Sequence, residues 1–367
     1  MRKLLTRLLK RPVLWLSNRF SSRPDRGRVF AALSDLLSRI LNGEKKKGLI
    51  VPFNINTGKF IIFSDQHKGN RNGADDFALC EPDYLMALDY YNQNGYHYIA
   101  LGDCEELWEN SLASIKKQHR LTFEKEKQFI SRNAFIKIFG NHDLNWANDP
   151  LAPFQLKEIY GIDVPIYEGV VLETTVGNKR MRIFCTHGHQ GDKVSDGNWF
   201  SKFFIAKIWA PLQAFLRINP NTPAYDATLK TAHNTMMYEW SAQQGDLLLI
   251  TGHTHQPVFE SLTHIERLYR QLLFARKQED KSMATTLEKE IADRKFSYNS
   301  ISDDYLKMQP CYFNSGCCCF DDGGITGLEI SEGVLRLIEW KMKDEKMERI
   351  ILEESPLAEL QQALSPK

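Results

Sequence analysis

The sequence Phe-Ile-Ile-Phe-Ser-Asp-Gln-His at residues 60–67 is an apolar run that ends abruptly in polar side chains. The same scheme recurs four times, in 98–101 before Asp103, 135–139 before Asn141, 181–185 before His187 and 247–250 before His253. Short runs rich in Ile, Phe and Leu are typical of strands that are buried on both faces. Helical stretches such as 84–94 lie between some of these runs, and the alternation predicts an α/β fold.

The composition limits the classes of protein to consider. The chain has 367 residues, 43% of them hydrophobic, so it can build a sizeable core. Its net charge is only +1, which argues against general nucleic-acid binding. Positive charge is concentrated at the N-terminus, because residues 1–28 contain nine Lys or Arg and a single acid, Asp25.

Residues 1–50 are predicted to form a basic amphipathic N-terminal segment with a helix over 4–16. The segment does not resemble a signal peptide, since Lys10, Arg11 and Arg19 interrupt its apolar stretches. No run of ~18 apolar residues predicts a membrane-spanning helix. A basic face would suit an anionic membrane surface, and the alternatives are a helix docked on the protein's own core or a disordered arm. We therefore expect a cytoplasmic protein, either free or peripheral on the inner face of the membrane.

Seven cysteines form no CxxC pair, and the last three, Cys317, Cys318 and Cys319, are consecutive. Neither the spacing nor the odd number suits a disulfide framework, so reduced thiols in a cytosolic protein are expected. A metal cluster at these three residues is the weaker interpretation. We expect a buried strand there, after the turn at 314–316.

The main domain is predicted to span residues 51–345, with two insertions. The first, 195–245, is rich in Trp and Phe and resembles a lid, although ordinary packing would also explain it. The second, 260–300, has two stretches of apolar residues at helical spacing and predicts a helical hairpin. Residues 346–367 are expected to form a C-terminal tail or a short helix.

Seven residues at the ends of the predicted strands have side chains that bind metals. In open α/β sheets, ligands gather at the carboxyl ends of strands, so these residues are expected to converge: Asp65, His67, Asp103, Asn141, His187, His253 and His255. Carboxylate, amide and imidazole groups favour cations such as Mn, Fe, Zn or Ni over thiolate-bound centres. The Asp-x-His and His-x-His pairs would share one side of an extended backbone.

Five motifs across roughly residues 60–257 resemble those of the calcineurin-like metallophosphoesterase family, in that family's order. They are Ser64-Asp65-Gln66-His67, Gly102-Asp103-Cys104-Glu105-Glu106, Gly140-Asn141-His142-Asp143, Thr186-His187-Gly188-His189 and Gly252-His253-Thr254-His255. The resemblance implies a layered sandwich of two mixed β-sheets flanked by helices, with helical insertions and a site on loops at one edge.

The resemblance also implies roles for individual residues. Two divalent metal ions are expected, Mn first and Fe, Zn or Ni as alternatives. Asp65, His67 and His255 would hold one of them, Asn141, His187 and His253 the other, and Asp103 would bridge the two. His142 would protonate the leaving group or stabilise charge on the phosphoryl group, with Asp143 orienting its ring. Glu106 and His189 are candidates for supporting contacts behind the ligands, and each of them has a plain structural alternative.

The family resemblance leaves the substrate open among phosphomonoesters, phosphodiesters and diphosphates. The segment 102–108 and the long interval between His187 and His253 are similar to the UDP-2,3-diacylglucosamine hydrolases, which implies a lipid-linked nucleotide-sugar diphosphate at a membrane surface. Two features depart from that branch: His142 stands where those enzymes typically have Arg, and the 260–300 hairpin is longer than expected.

Two further interpretations remain open. A non-catalytic scaffold would retain the fold without working metals, yet here no expected ligand is missing. A nuclease would need a basic groove near the motifs, whereas the basic cluster lies at the N-terminus, so a nucleic-acid partner is not expected. The expected partners are the phosphate-containing substrate, an anionic membrane surface through residues 1–28, and a second copy of the chain through the 260–300 hairpin.

Overall fold

The computed structural model describes residues 25–71, 75–191, 227–294, 308–343 and 346–364. The helix predicted over 4–16 and the aromatic part of the 195–245 insertion, up to residue 226, therefore lie outside the described residues. Within the described ranges, no helix combines the length and the apolar character needed to cross a bilayer.

Two seven-stranded sheets form the centre of the molecule. The first has the strand order β1-β6-β7-β8-β11-β9-β10, with β1 Gly48–Pro52, β6 Gly169–Val176, β7 Lys179–Thr186, β8 Leu247–Thr251, β9 Val258–Phe259, β10 Leu262–Thr263 and β11 Tyr312–Asn314. The second has the order β14-β13-β12-β2-β3-β4-β5, with β2 Phe60–Phe63, β3 His97–Leu101, β4 Phe135–Ile138, β5 Ile166–Tyr167, β12 Ile325–Ser331, β13 Val334–Lys343 and β14 Lys346–Pro356. Each sheet contains both parallel and antiparallel pairs, for example β2–β3 and β12–β2 in the second sheet.

Helices surround the two sheets, and the last of them packs into the core between the sheets. They are α1 Arg26–Leu41, α2 Glu81–Gln93, α3 Leu112–Gln118, α4 Arg120–Ser131, α5 Asn145–Asn148, α6 Ala152–Tyr160, α7 Ala227–Ser241, α8 His264–Lys277, α9 Lys281–Arg294 and α10 Leu357–Leu364. On the first sheet, Val29 of α1 and Trp240 of α7 pack with Phe184 of β7. On the second sheet, Tyr84 of α2 and Phe129 of α4 share a core cluster.

The strand β2 shows why the sequence builds this layered sandwich. All four of its residues are buried. Phe60 and Ile62 face the core between the two sheets, whereas Ile61 and Phe63 face the core under the helices. A strand that is covered on both faces has no polar alternation, which is the pattern of the run at 60–63. The predicted fold class, two mixed sheets flanked by helices, is confirmed.

The two helices α8 and α9 lie where the hairpin was predicted, and they pack against each other through Leu268, Leu272, Leu287 and Ile291. A complete capping box at Thr263 and Glu266 starts α8, because each side chain accepts from a backbone N–H that has no partner within the helix. The boundaries proposed for the insertions remain predictions.

Three expectations from the sequence are corrected by the structure. The segment 346–367, expected as a tail or a short helix, does contain a short helix, α10, but it begins with an edge strand, β14, that pairs along its length with β13. Residues 317–319 are buried but form no strand. The N-terminal segment assigned to 1–50 includes α1 and most of β1, which belong to the main fold because β1 pairs with β6.

Candidate metal centre

The loops that follow β2, β3, β4, β7 and β8 meet at one edge of the sandwich and bring the seven predicted ligands together. Six of the seven are buried, and the side chain of His255 is 12% exposed. Backbone hydrogen bonds lock the loops to one another: Asp65 N donates to Gly102 O at 3.0 Å, and His67 N donates to Asp103 O at 2.9 Å. The loop after β2 therefore lies directly against the loop after β3.

Five of the seven residues adopt a left-handed backbone, with φ of 53° at Asp65, 50° at His67, 50° at Asp103, 70° at His253 and 54° at His255. The extended backbone expected for the Asp-x-His and His-x-His pairs is therefore wrong. The left-handed region is sparsely populated by residues with a Cβ and is found where surrounding contacts enforce it, often at functional sites. Here the enforcing contacts include the carboxylate of Asp65, which accepts from His253 N at 3.0 Å.

Glycines in the motifs allow the loops to approach this closely. A Cβ at Gly140 would lie 2.2 Å from Asp103 Oδ1, and one at Gly252 would lie 2.5 Å from Asp65 Oδ2. Both distances are shorter than any real contact, so a larger residue at either position would push a ligand carboxylate out of place.

The first group of ligands consists of Asp65, His67 and His255. His255 Nε2 lies 3.2 Å from Asp65 Oδ1 and 3.1 Å from His67 Nε2. His67 Nε2 lies 3.8 Å from Asp65 Oδ1. These three ligand atoms thus face a common point.

The second group contains Asp103, His187 and His253, whose ligand atoms lie within 4.8 Å of one another. Asp103 Oδ2 is 3.1 Å from His187 Nε2 and 3.8 Å from His67 Nε2, so one carboxylate oxygen touches both groups. Its other oxygen, Oδ1, accepts from the backbone N–H of His142 at 2.8 Å. That geometry is the one expected of a residue shared between two sites.

Several atoms of the cluster are buried without a hydrogen-bond partner among the described residues. They include Asn141 Oδ1 and His253 Nε2, together with Asp65 Oδ1 and His187 Nε2, whose close contacts, at 3.2 Å and 3.1 Å, are with other candidate ligand atoms. An unsatisfied buried polar atom costs ~1–3 kcal/mol, so four in one cluster require an explanation. Carboxylate, amide and imidazole donors suit divalent cations of the first transition row. The residues present therefore fit a divalent metal.

The charged side chains of the cluster shift one another's pKa values. Burial opposes ionisation of Asp103, but His187 outweighs it and holds the pKa of that carboxyl well below its usual range. Burial alone would lower the pKa of His187, but the contact with Asp103 outweighs it and raises that pKa to about 9. His253, in contrast, has its pKa lowered by burial and by His233, which keeps the ring neutral. Metals bind neutral imidazoles and ionised carboxylates. Asp103 and His253 are already in those forms, whereas His187 would release a proton when a cation binds.

Glu106 connects the first ligand group to His142. Its Oε2 accepts from His67 Nδ1 at 3.0 Å and lies 2.7 Å from His142 Nδ1. Burial would raise the pKa of Glu106, but His142 and His67 lower it to about 2, so this carboxylate is ionised. The ring of Trp108 stacks on His142 at a centroid distance of 4.0 Å. Glu106 and Trp108 together fix the orientation of the His142 ring.

Asp143 does not orient His142, contrary to the expectation from the sequence. Its Oδ1 accepts from Gly140 N at 2.5 Å and its Oδ2 from Cys104 N at 2.8 Å. The side chain thus joins the loop after β4 to the loop after β3. Because both carboxylate oxygens are occupied by backbone amides, the contact with the imidazole goes to Glu106 instead.

A model of the calcineurin-like phosphoesterase family matches residues 58–257, which is more than half of the chain and includes all seven residues of the cluster. The chain belongs to this family. Candidate ligand groups at the edge of the sandwich agree with the divalent metals that such phosphoesterases bind.

Among solved structures, this phosphoesterase is similar to Vacuolar Protein Sorting 29 from Cryptosporidium parvum, with 11% identity and a TM-score of 0.31 over 82% of this chain and 98% of that one. It is also similar to Vps29 from Entamoeba histolytica complexed with Zn²⁺, with 15% identity and a TM-score of 0.27 over 80% of this chain and 99% of that one. No curated protein sequence matches the chain. Likeness at this level adds nothing about function.

Two further histidines of the phosphoesterase line the back of the second ligand group. His189 is buried with its ring centroid 5.4 Å from that of His187, and burial lowers its pKa to about 3. His233, on α7, donates from Nε2 to Gly188 O at 2.8 Å, and its ring lies 5.0 Å from His253. No sequence pattern points to His233, because it lies in a helix far from any strand end.

A buried network of charges lies behind the metal centre of the phosphoesterase. Lys68 Nζ lies 2.9 Å from Glu126 Oε1 and 3.1 Å from Glu105 Oε1. Lys137 Nζ lies 2.9 Å from Glu105 Oε2, which also accepts from the Trp146 indole at 2.8 Å. All four charged side chains are at most 1% exposed. We refer to Lys68, Glu105, Glu126 and Lys137 as the charge network.

Proposed function

We propose that this phosphoesterase hydrolyses phosphate esters or diphosphates with the help of two divalent cations, Mn²⁺ being the first candidate. The observation that supports this most directly is the set of buried ligand atoms without partners, which falls into two groups sharing Asp103. Asp65, His67 and His255 would hold one cation, and Asn141, His187 and His253 the other. When bound, such cations would supply Lewis acidity toward a phosphoryl oxygen and would activate water.

His142 is proposed as the group that delivers a proton to the leaving oxygen. It offers a ring nitrogen within 4.8 Å of ligand atoms of His67 and Asp103, so it borders the place where a phosphate would lie. Its Nδ1 faces the Glu106 carboxylate, while Nε2 is buried without a partner among the described residues. A ring that is held through one nitrogen and open at the other can donate a proton at a fixed position.

Hydrolysis of a substrate panel by Mn²⁺-loaded protein tests the reaction class. The panel contains an aryl phosphomonoester, an aryl phosphodiester, a lipid-linked nucleotide diphosphate and single-stranded DNA. We expect turnover of at least one ester or diphosphate, loss of it with a chelator and recovery when Mn²⁺ is added back. Failure on every substrate by protein that has retained its metal would overturn the proposed function.

The lipid-linked nucleotide diphosphate remains a second candidate substrate. It is supported by the segment 102–108, which places Trp108 against His142 at the centre. Activity confined to this substrate would favour it, and turnover of simple aryl diesters alone would exclude it. Cleavage of single-stranded DNA alone would instead favour the nuclease interpretation.

The expected partners also remain proposals. Binding to anionic vesicles should disappear when residues 1–28 are removed if the basic segment is the anchor. For the 260–300 hairpin, Phe274 and Met283 are 62% and 52% exposed, which leaves apolar surface on both of its helices. A monomeric mass in solution, unchanged by deleting the hairpin, would exclude a dimer through this segment.

A further inference from the structure

In two histidines of the proposed centre, the ring nitrogen that faces away from the other candidate ligands donates a hydrogen bond to an oxygen atom. His67 Nδ1 donates to the carboxylate of Glu106 at 3.0 Å, and His187 Nδ1 donates to the carbonyl oxygen of Leu101 at 2.9 Å. A ligating histidine usually gives its other N–H to a carboxylate, a carbonyl or water, which fixes the ring and makes it a better ligand.

His255 differs in the partner of its second nitrogen. Its Nε2 faces the ligand group, 3.2 Å from Asp65 Oδ1. Its Nδ1 lies 3.6 Å from the sulfur of Cys319. A cation bound at Nε2 would leave Nδ1 facing the sulfur. The sulfur also lies within 4.8 Å of ring nitrogens of His67 and His255, so direct ligation by Cys319 is the alternative that the experiments must separate. A sulfur is a weak acceptor compared with a carboxylate or a carbonyl oxygen.

We propose that Cys319 is a positioning residue that holds the His255 ring through its sulfur and thereby sets the affinity of the centre for its cation. This inference rests on the proposed function, since His255 acts as a ligand only if the centre binds metal. It adds a side chain that lies outside the five sequence motifs.

The segment that carries Cys319 is fixed to the first ligand group. Cys318 N donates to Asp65 O at 3.2 Å, and the hydroxyl of Ser64 donates to Gly316 O at 3.2 Å. Ser64 and Ser315 also share a hydroxyl contact of 2.7 Å. The sulfur of Cys319 is thus delivered by a loop whose position is set by the same strand end that carries Asp65.

Of the two neighbouring cysteines, Cys318 provides a control for the contact between Cys319 and His255. Cys318 packs in the core under the helices, with Phe63 and Tyr84, so it does not take part in the contact with His255. Cys317 is buried and interacts with both His255 and Cys319. A Cys318→Ala variant therefore removes a sulfur of equal size from the next residue without touching the imidazole.

Affinity for Mn²⁺, measured by calorimetric titration of chelator-treated protein, is the first test. Cys319→Ala should weaken binding by ~10–100-fold, the usual effect of losing an outer partner of a ligand. Cys319→Ser, whose hydroxyl can still accept from Nδ1, should fall between the wild type and Cys319→Ala. Cys318→Ala should bind as the wild type does. Wild-type affinity in Cys319→Ala, or equal losses in Cys318→Ala and Cys319→Ala, would overturn the inference.

The absorption spectrum of Co²⁺-loaded protein separates a positioning role from direct ligation. A sulfur bound to the cation gives an intense charge-transfer band in the near ultraviolet. We expect wild type and Cys319→Ala to have the same spectrum in that region. A band that is present in the wild type and absent from Cys319→Ala would make Cys319 a ligand and would contradict the proposed position behind the ring.

The contact itself can be measured without metal, by long-range ¹H–¹⁵N correlation of the histidine rings. His255 is assigned from the signals that are missing in His255→Gln. We expect its ring signals to shift in Cys319→Ala but not in Cys318→Ala. Unchanged His255 signals in Cys319→Ala would overturn this inference alone, whereas a wild type that retains no divalent ion would remove the proposed function.

Discussion

Two clusters of buried charge lie next to each other in this phosphoesterase, and they differ in whether their polar atoms have partners. In the charge network every carboxylate meets a lysine, and each of those ion pairs is 3.1 Å or shorter. In the metal centre, Asn141 Oδ1 and His253 Nε2 are equally buried and lack hydrogen-bond partners among the described residues. Asp65 Oδ1 and His187 Nε2 face other candidate ligand atoms, at 3.2 Å and 3.1 Å.

This difference indicates that the charge network stabilises the fold, whereas the candidate metal centre has atoms available to a ligand. A buried charge is tolerated when it is paired, so the charge network can serve as structure by itself. It also joins the loop after β2 to the loop after β3, because Lys68 Nζ lies 3.1 Å from Glu105 Oε1. Under the proposed function, the unpartnered atoms of the candidate metal centre would bind cations, and the network lies behind them.

The largest effect is expected from Asp103→Asn. The change keeps an oxygen that can accept from His142 N but removes the charge shared by the two ligand groups. We expect loss of both cations together and hydrolysis at the level of metal-free protein, with little change in the unfolding of metal-free protein by urea. Loss of only one cation would contradict the shared role of Asp103.

A substitution in the charge network is expected to lower the stability of the fold. Lys137→Met leaves Glu105 short of one buried partner, which should lower the free energy of unfolding by ~3–5 kcal/mol. The matched control is Lys125→Met, since the pair of Lys125 with Asp89 is partly exposed and such pairs contribute ~0–1 kcal/mol. Equal urea midpoints for the two variants would remove the distinction between the clusters.

His142→Ala should separate chemistry from metal binding within the centre. We expect metal content to stay at the wild-type level and turnover to fall by ~10²–10⁴-fold, the usual range for a proton-transfer group. Metal analysis and turnover are measured on the same preparation. Unchanged turnover would take His142 out of the mechanism.

A third buried cluster predicts a smaller, pH-dependent effect. His119 lies between Asp75 and Glu81, at 3.0 Å and 3.2 Å. Burial opposes its charge, but the two carboxylates outweigh burial and raise the pKa of His119. A raised pKa in the folded state stabilises the protein below the unfolded value of ~6.5, and this stabilisation is lost as pH rises through the folded pKa.

The matched variant for this cluster is His119→Gln. In urea unfolding of metal-free protein, we expect the difference in stability between the wild type and His119→Gln to shrink as the pH is raised above ~6.5. All groups other than residue 119 are the same in both proteins, so their contributions cancel in the difference. A difference that grows with pH would show that His119 is not held as a cation.

The residues that could be predicted from the sequence are those fixed by strand ends. Asp65, Asp103 and His187 follow buried runs directly, and the pattern of each run determined where the strand stopped. The contacts between side chains could not be predicted in the same way. Asp143 is the sequence neighbour of His142, yet its carboxylate is occupied by Gly140 N and Cys104 N, and only the folded loops show this.

Other features that were not predicted from the sequence have local structural causes. The left-handed backbone at Asp65 and His67 results from the packing of the loops after β2 and β3, which no spacing rule contains. Strand β14 was missed because it is an edge strand with mixed exposure, and its pairing with β13 changes register between Leu337 and Ile338. His233 and Cys319 reach the centre from segments without a motif.

Binding of two cations at this centre is tested by the number of Mn²⁺ ions retained per chain, measured on the wild type by elemental analysis after equilibrium dialysis. Two ions per chain are expected, because two groups of buried ligand atoms share the Asp103 carboxylate. One ion would contradict the shared site, and none would contradict the conclusion that these atoms are kept for metal.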